Sequence, residues 1–166
     1  MQTTDSVTPV VPLSPPPHRY WLMKSEPSVY GLAHLERDGR TLWDGIRNYQ
    51  ARNYLRQMQV GDLAFFYHSN VQPPGIVGLM QIAAIGIPDP TQFDAASDYF
   101  DPKSTPGDPR WWTVEVAFVR AFDHLISLDR LRQTFTPETL AVTRRGNRLS
   151  VMPVDPEVAE QILALC

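Results

Sequence analysis

The chain has 166 residues, a net charge of −3 and 43% hydrophobic against 20% charged residues, the make-up of one ordinary globular domain long enough to bury a core. Its single cysteine, Cys166, excludes an internal disulfide, and no apolar run approaches the roughly 20 residues that a membrane helix needs. The acidic balance excludes a protein that holds nucleic acid by bulk charge alone.

Residues 1–18 carry five prolines and no aromatic residue, which predicts a disordered or polyproline-like tail ahead of a domain over 19–166. The opening residues also lack a basic stretch followed by an apolar one, so the expected location is cytoplasmic. Tyr20 to Met23 reads as a buried first strand. Ser28 is placed to cap a short helix through Glu36, whose apolar stripe is Val29, Leu32, Ala33 and Leu35. After the Asp38-Gly39 turn, Arg40 to Trp43 forms a short strand and Asn48 to Met58 an amphipathic helix. Leu63 to His68 and Ile76 to Ile87 predict an antiparallel pair of apolar strands across the Pro73-Pro74-Gly75 loop. Pro88 to Arg110 is a polar loop too long to be idle. Trp111 to Phe122 is a third long strand, followed by a short helix from Ser127 to Gln133 and a helical turn over Pro137 to Leu140. Leu149 to Val151 is a short strand, and Asp155-Pro156-Glu157 opens a final helix to Leu165. Strands and helices do not alternate regularly enough for a doubly wound sheet. The class predicted is α+β, a curved or closed mixed sheet with helices packed outside.

Four dispersed histidines and a terminal cysteine offer no metal ligand cluster. His68 and Ser69 are adjacent on a strand and point to opposite faces, so they cannot act as base and nucleophile. Neither a G-x-S-x-G elbow nor a phosphate loop is present. Glu26 and Asp44 each follow a strand. If they meet, two close acids can divide acid and base roles, although such acids more often accept hydrogen bonds from backbone or arginine. The segment Trp43 to Asn53 combines an aromatic pair, amides and arginines. Trp and Tyr can stack on a base, Asp and Asn can read its edge, and Arg can hold a phosphate. A capped surface helix with Trp43 as a core plug accounts for the same residues. Charge is polarised along the chain: Arg40, Arg47, Arg52 and Arg56 face only Asp44, and Arg144, Arg145 and Arg148 face no acid. The stretch from Asp89 to Asp108 holds five aspartates against Lys103.

Several blocks together resemble the EVE domain family. They are Tyr-Trp-Leu-Met-Lys-Ser-Glu-Pro at 20–27, Trp-Asp-Gly-Ile-Arg-Asn-Tyr-Gln-Ala-Arg-Asn at 43–53, Gly-Asp-Leu-Ala-Phe-Phe-Tyr-His-Ser-Asn at 61–70, Pro-Asp-Pro-Thr-Gln-Phe-Asp at 88–94, and Arg-Gly-Asn-Arg-Leu-Ser-Val-Met-Pro-Val at 145–154. Shorter matches at 75–78, 101–104 and 109–111 keep the same order. The resemblance implies a PUA-like fold, a small curved β-barrel ringed by helices, related to the YTH domains that hold a methylated adenine in an aromatic cage. It also implies non-catalytic binding of a modified base in DNA or RNA, with no cofactor. The pocket so implied contains Lys24, Ser25, Glu26, Trp43, Asp44, Asn48, Tyr49, Ser69, Tyr99 and Phe100. Arg47, Arg52, Arg144 and Arg145 would engage phosphate. The partner expected is a nucleic acid carrying a modified base, with no membrane and with the chain as a monomer. An enzyme or sensor acting on a modified nucleotide and a protein-interaction module are the alternatives.

Overall fold

Continuous apolar runs decide which strands lie at the centre of the sheet. In the computed structural model, which describes residues 19–166, β1 (Tyr20–Ser25) and β3 (Leu63–His68) lie side by side in parallel and are buried on both faces. The proline-rich stretch 1–18 lies outside the described residues. Four further strands complete one sheet: β2 (Arg40–Leu42), β4 (Gly75–Pro88), β5 (Trp112–Ser127) and β6 (Val151–Val154), in the order β2-β5-β4-β3-β1-β6. Every pairing except β1–β3 is antiparallel.

The period of two divides the core. Trp21 and Met23 of β1 join Leu35, Trp43, Leu55, Phe66, Met80 and Val116 on one side, while Leu22 joins Phe65, Ile76, Leu131, Met152 and Ile162 on the other. The first side is covered by α2 (Leu32–Asp38) and α3 (Tyr49–Gln57), the second by α4 (Leu128–Thr134) and α5 (Pro156–Leu165). A four-residue helix, α1 (Pro27–Tyr30), precedes α2.

The α+β class and the curved mixed sheet agree with the sequence reading. The sheet is not closed, however: β2 and β6 are its two edges. Register shifts at four places between β4 and β5 supply bend and twist. The helix expected from Ser28 is instead two helices. Pro27 sets the first helical φ one residue earlier, and Gly31 breaks the chain with an extended backbone before α2. His34 Nδ1 and His68 Nε2 accept the N–H groups of Gly31 and Leu32 at 2.7 and 3.2 Å, replacing the cap assigned to Ser28. The third long strand runs on to Ser127, because Ile126 and Ser127 pair with Ile76 and Gly75. The last strand sits at Val151–Val154 rather than 149–151, set by antiparallel pairing with Tyr20–Met23.

Gly78 is where β4 and β5 come too close for a side chain. A Cβ there would stand 2.6 Å from the Arg120 carbonyl oxygen, a backbone atom held in the sheet, and 2.5 Å from Leu32 Cδ2. Gly78→Ala is expected to cost about 1–3 kcal/mol through overpacking, measured as a lower denaturation midpoint in urea with the slope unchanged.

Candidate functional site

The carboxyl end of β1 and the chain leaving β2 open a pocket of about 450 Å³ on the α2–α3 side of the sheet. That volume lies within the range of about 300–1,000 Å³ typical of small-molecule sites. Lys24, Ser25 and Glu26 come from β1 and the residue after it, Val29 and Tyr30 from α1, and Thr41 to Ile46 from β2 and its exit. Tyr99 reaches in from the long loop. Trp43 is fastened at both backbone groups: its N–H donates to the Val114 carbonyl at 3.0 Å, and the Thr113 hydroxyl donates to its carbonyl. Its ring meets Phe66 edge to face, with centroids 5.4 Å apart, and the residue is only 6% exposed. Trp43 is thus both core residue and pocket wall.

A buried ion pair holds the opposite wall. Asp89, 1% exposed, lies 3.0 Å from the Arg47 guanidinium. The Gly45 N–H donates to the same carboxyl at 2.8 Å, and the Thr91 N–H and hydroxyl donate at 2.9 and 2.6 Å. Arg47 also donates to the Tyr99 carbonyl at 2.9 and 2.6 Å and to the Thr91 hydroxyl at 2.9 Å. The Tyr99 ring then lies against Gly45, where a Cβ would stand 2.8 Å from it; with φ at +80° this position suits glycine twice over. Burial alone would push the Asp89 carboxyl up, but the donors from Thr91, Gly45 and Arg47 outweigh it and hold the group below the usual carboxylate range.

The polar groups in the pocket are unevenly engaged. The Ser25 hydroxyl donates to the Tyr30 carbonyl at 2.6 Å, which leaves its oxygen free to accept. Lys24 is half-buried, and burial lowers its pKa. Its ammonium donates to the Asn147 carbonyl at 3.4 Å, lies 5.7 Å from the Tyr67 ring centroid, and has no carboxylate partner among the described residues. The Asp44 carboxyl is raised, first by burial and then by the Asp89 charge. Tyr30 is raised by burial and donates to Asp38 at 2.9 Å.

The structure therefore brings together Lys24, Ser25, Glu26, Trp43, Asp44 and Tyr99 from the sequence-derived set. Four others lie outside the lining. The Asn48 side-chain oxygen is spent on capping α3, accepting the Ala51 N–H at 2.9 Å. Tyr49 stacks on Trp111. Ser69 continues past β3, its N–H donating to the Ser25 carbonyl at 3.1 Å, and Phe100 is exposed on the loop beyond Tyr99. Arg47 is corrected more sharply: its guanidinium is consumed inside the protein by Asp89, Thr91 and Tyr99, so it positions the wall and is not available to phosphate. Arg52 donates to the Arg110 carbonyl at 2.9 Å and stays half-buried. Arg144 and Arg145 are exposed on the turn whose Asn147 carbonyl meets Lys24. The sequence reading missed Tyr30, Leu42, Ile46 and Asp89. The first three carry no sequence signal that separates a pocket wall from a core position, and only the fold pairs Asp89 with Arg47. Among the described residues no three His, Cys, Asp or Glu side chains are placed to hold a metal, and no helix is long and apolar enough to cross a membrane.

The EVE domain family matches residues 19–165. Thymocyte nuclear protein 1 of Mus musculus is 42% identical over 164 residues, covering 88% of this chain and 73% of its own length. A crystal structure of a Pseudomonas putida protein superposes with a TM-score of 0.85 at 49% identity, covering 88% of this chain and 98% of that one. The human THYN1 protein in complex with 5-methylcytosine-containing DNA superposes at 0.81 with 40% identity, covering 89% and 96%. A YTH domain from Zygosaccharomyces rouxii shares the fold, with a TM-score of 0.51 at 14% identity over 96% of this chain and 93% of that one. The cytoplasmic location expected from the N-terminus is corrected by these relatives: those from mouse, rat and human are named as nuclear proteins.

The Arg47–Asp89 pair should be visible in acid denaturation. With its folded pKa lowered, Asp89 contributes full stability above the unfolded carboxylate value of about 3.9 and loses it as pH falls through the lower folded value. Asp89→Asn should flatten that part of the stability-against-pH curve. At pH 7, Asp89→Ala should cost about 3–5 kcal/mol because it strands the Arg47 charge, read by equilibrium denaturation.

Proposed function

The chain belongs to the EVE domain family, and from that premise we propose that its pocket binds a modified base of a nucleic acid without transforming it. The observation that carries this reading is the convergence of Trp43 and Tyr99, 56 residues apart in sequence, on one pocket that also holds Lys24, Ser25 and Asp44. In this reading the base lies along the Trp43 and Tyr99 rings. Ser25 and Asp44 meet its polar edge, with Lys24 and Glu26 at the rim. Arg144 and Arg145 reach the phosphates beside it from the turn that touches Lys24. In this reading a single chain is the binding unit. The complex of the human THYN1 protein with 5-methylcytosine-containing DNA supports both the ligand class and the choice of first probe.

A second reading, turnover of a modified nucleotide, has one observation in its favour. The Asp44 carboxyl is raised by burial and by the Asp89 charge, and it lines the same pocket as Glu26, so two acids stand where a general base would be needed. Mass analysis of modified nucleotides incubated with the protein separates the two readings: a product whose formation is abolished by Asp44→Asn establishes turnover.

Binding is tested by fluorescence anisotropy with matched oligonucleotides carrying 5-methylcytosine, N6-methyladenine or no modification. The wild type should prefer at least one modified strand. Base–aromatic stacking is worth about 1–3 kcal/mol, so Tyr99→Ala, at a residue 40% exposed and hence removable without unfolding the domain, should weaken binding about tenfold and erode the preference. Trp43→Phe should retain more affinity than Trp43→Ala. Equal binding of all strands by wild type and Tyr99→Ala would sink the pocket reading.

A further inference from the structure

A second aromatic surface lies outside the pocket, at the start of α3. Tyr49 is 54% exposed, although it packs flat on Trp111 with ring centroids 4.9 Å apart and planes 20° from parallel. The Arg52 guanidinium is 4.7 Å from the Tyr49 centroid and 5.8 Å from that of Trp111. The guanidinium is thus within cation–π reach of both rings. Trp111 stacks on Tyr49, and about half of the Tyr49 surface remains open to solvent. One turn further, the Arg56 guanidinium lies 5.3 Å from the Trp112 ring. Among the described residues, neither Arg52 nor Arg56 forms an ion pair.

This surface is continuous with the pocket. Arg47 lies 5.7 Å from the Tyr99 ring and 5.3 Å from the Trp111 ring, and Trp111 carries Tyr49. An unbroken series of rings and one guanidinium thus runs from the pocket wall to the open surface of Tyr49. The Asp101 carboxylate accepts the Trp111 indole N–H at 2.8 Å, so the ring beneath Tyr49 is fixed. A half-exposed ring held flat on a fixed support loses little entropy when a second ring stacks on it. Arg52 is held by neutral partners only, the Asn53 side-chain oxygen and the Arg110 carbonyl, so its charge and that of Arg56 are not neutralised by a carboxylate and suit the phosphates of a strand passing over the ring.

We propose that Tyr49 is the stacking platform for the nucleotide next to the base in the pocket, with Arg52 and Arg56 against its phosphates, and that the ligand is therefore single-stranded or locally opened nucleic acid. A neighbouring base still paired within a duplex has only one open face, turned into the gap that the base in the pocket has left, and stays in the helical stack away from a ring outside it. The inference rests on the pocket reading above and adds to it the form of the strand.

The test uses single-stranded pentamers with a central modified base, either with four normal flanking nucleotides or with abasic flanks that keep every phosphate. The wild type should bind the normal pentamer about tenfold more tightly than the abasic one. Tyr49→Ala should bind the two alike while still preferring the modified centre, and Tyr49→Phe should behave as the wild type. Arg52→Gln with Arg56→Gln should lower the slope of log affinity against log salt by about 0.7 for each phosphate that is no longer neutralised. If the wild type keeps its preference for the modified centre but is blind to the abasic flanks, the platform is refuted and the pocket stands. A tighter complex with a fully paired duplex than with the single strand would also refute it. Loss of the modification preference in the wild type would overturn the pocket reading itself, and the platform with it.

Discussion

One buried carboxylate organises the candidate site. Asp89 starts the loop between β4 and β5 and gathers the Gly45 N–H, the Arg47 guanidinium and the Thr91 N–H and hydroxyl onto a single side chain. Its own backbone N–H donates to the Trp111 carbonyl at 2.9 Å, which pins the two ends of the loop together. Gln92, fully buried, finishes the closure: its amide donates to the Asp89 and Trp111 carbonyls, and its oxygen accepts from the Arg110 and Trp111 N–H groups. A loop of this length without strands of its own is usually costly in entropy. Here its ends and its near third are tied into the sheet, so Tyr99 is delivered to a defined place in the pocket that Trp43 also lines. The charge inside is tolerable because every lone pair that matters has a donor.

That constraint also explains how far the sequence could be read. The strands, the helix that runs over Tyr49–Gln57 and the final helix were legible because each carries a local signal: an apolar run, an amphipathic period, a proline at the first helical position. Strand ends were less legible. The extension of β5 to Ser127 runs through Asp123, His124 and Leu125, all exposed, where no period of two survives. The pocket residues that were found sit in two short blocks, Lys24–Glu26 and Trp43–Asp44, with Tyr99 from the long loop. Arg47 was misplaced because a guanidinium among aromatics looks the same whether its partner is a ligand or an aspartate 42 residues away. Asn48 was misplaced for a related reason: the residue types that cap helices are also those that read base edges. The two accounts of Trp43, core plug and pocket wall, need not compete, since the residue packs against Phe66 in the core and is also among those lining the cavity.

The net charge of −3 at first sits poorly with a nucleic-acid ligand, and the aspartate-rich stretch from Asp89 to Asp108 makes the difficulty local. The hydrogen bonding removes much of it. Asp89 is turned inward onto Arg47. Asp101 accepts the Trp111 indole N–H and the Lys103 N–H, and those bonds hold its carboxyl below the usual range. Asp94 closes a turn on the Ala96 N–H. These carboxylates serve as loop fasteners, and those of Asp89 and Asp101 support rings of the aromatic surface. Arg56, Arg144 and Arg145 carry their charge outward, with no ion pair among the described residues. Acid is thus spent on building the surface and arginine is left to face solvent around it. For the ligand proposed above few cations suffice: a base stacked on rings would need only enough positive charge to orient its backbone, the rest of the affinity coming from stacking.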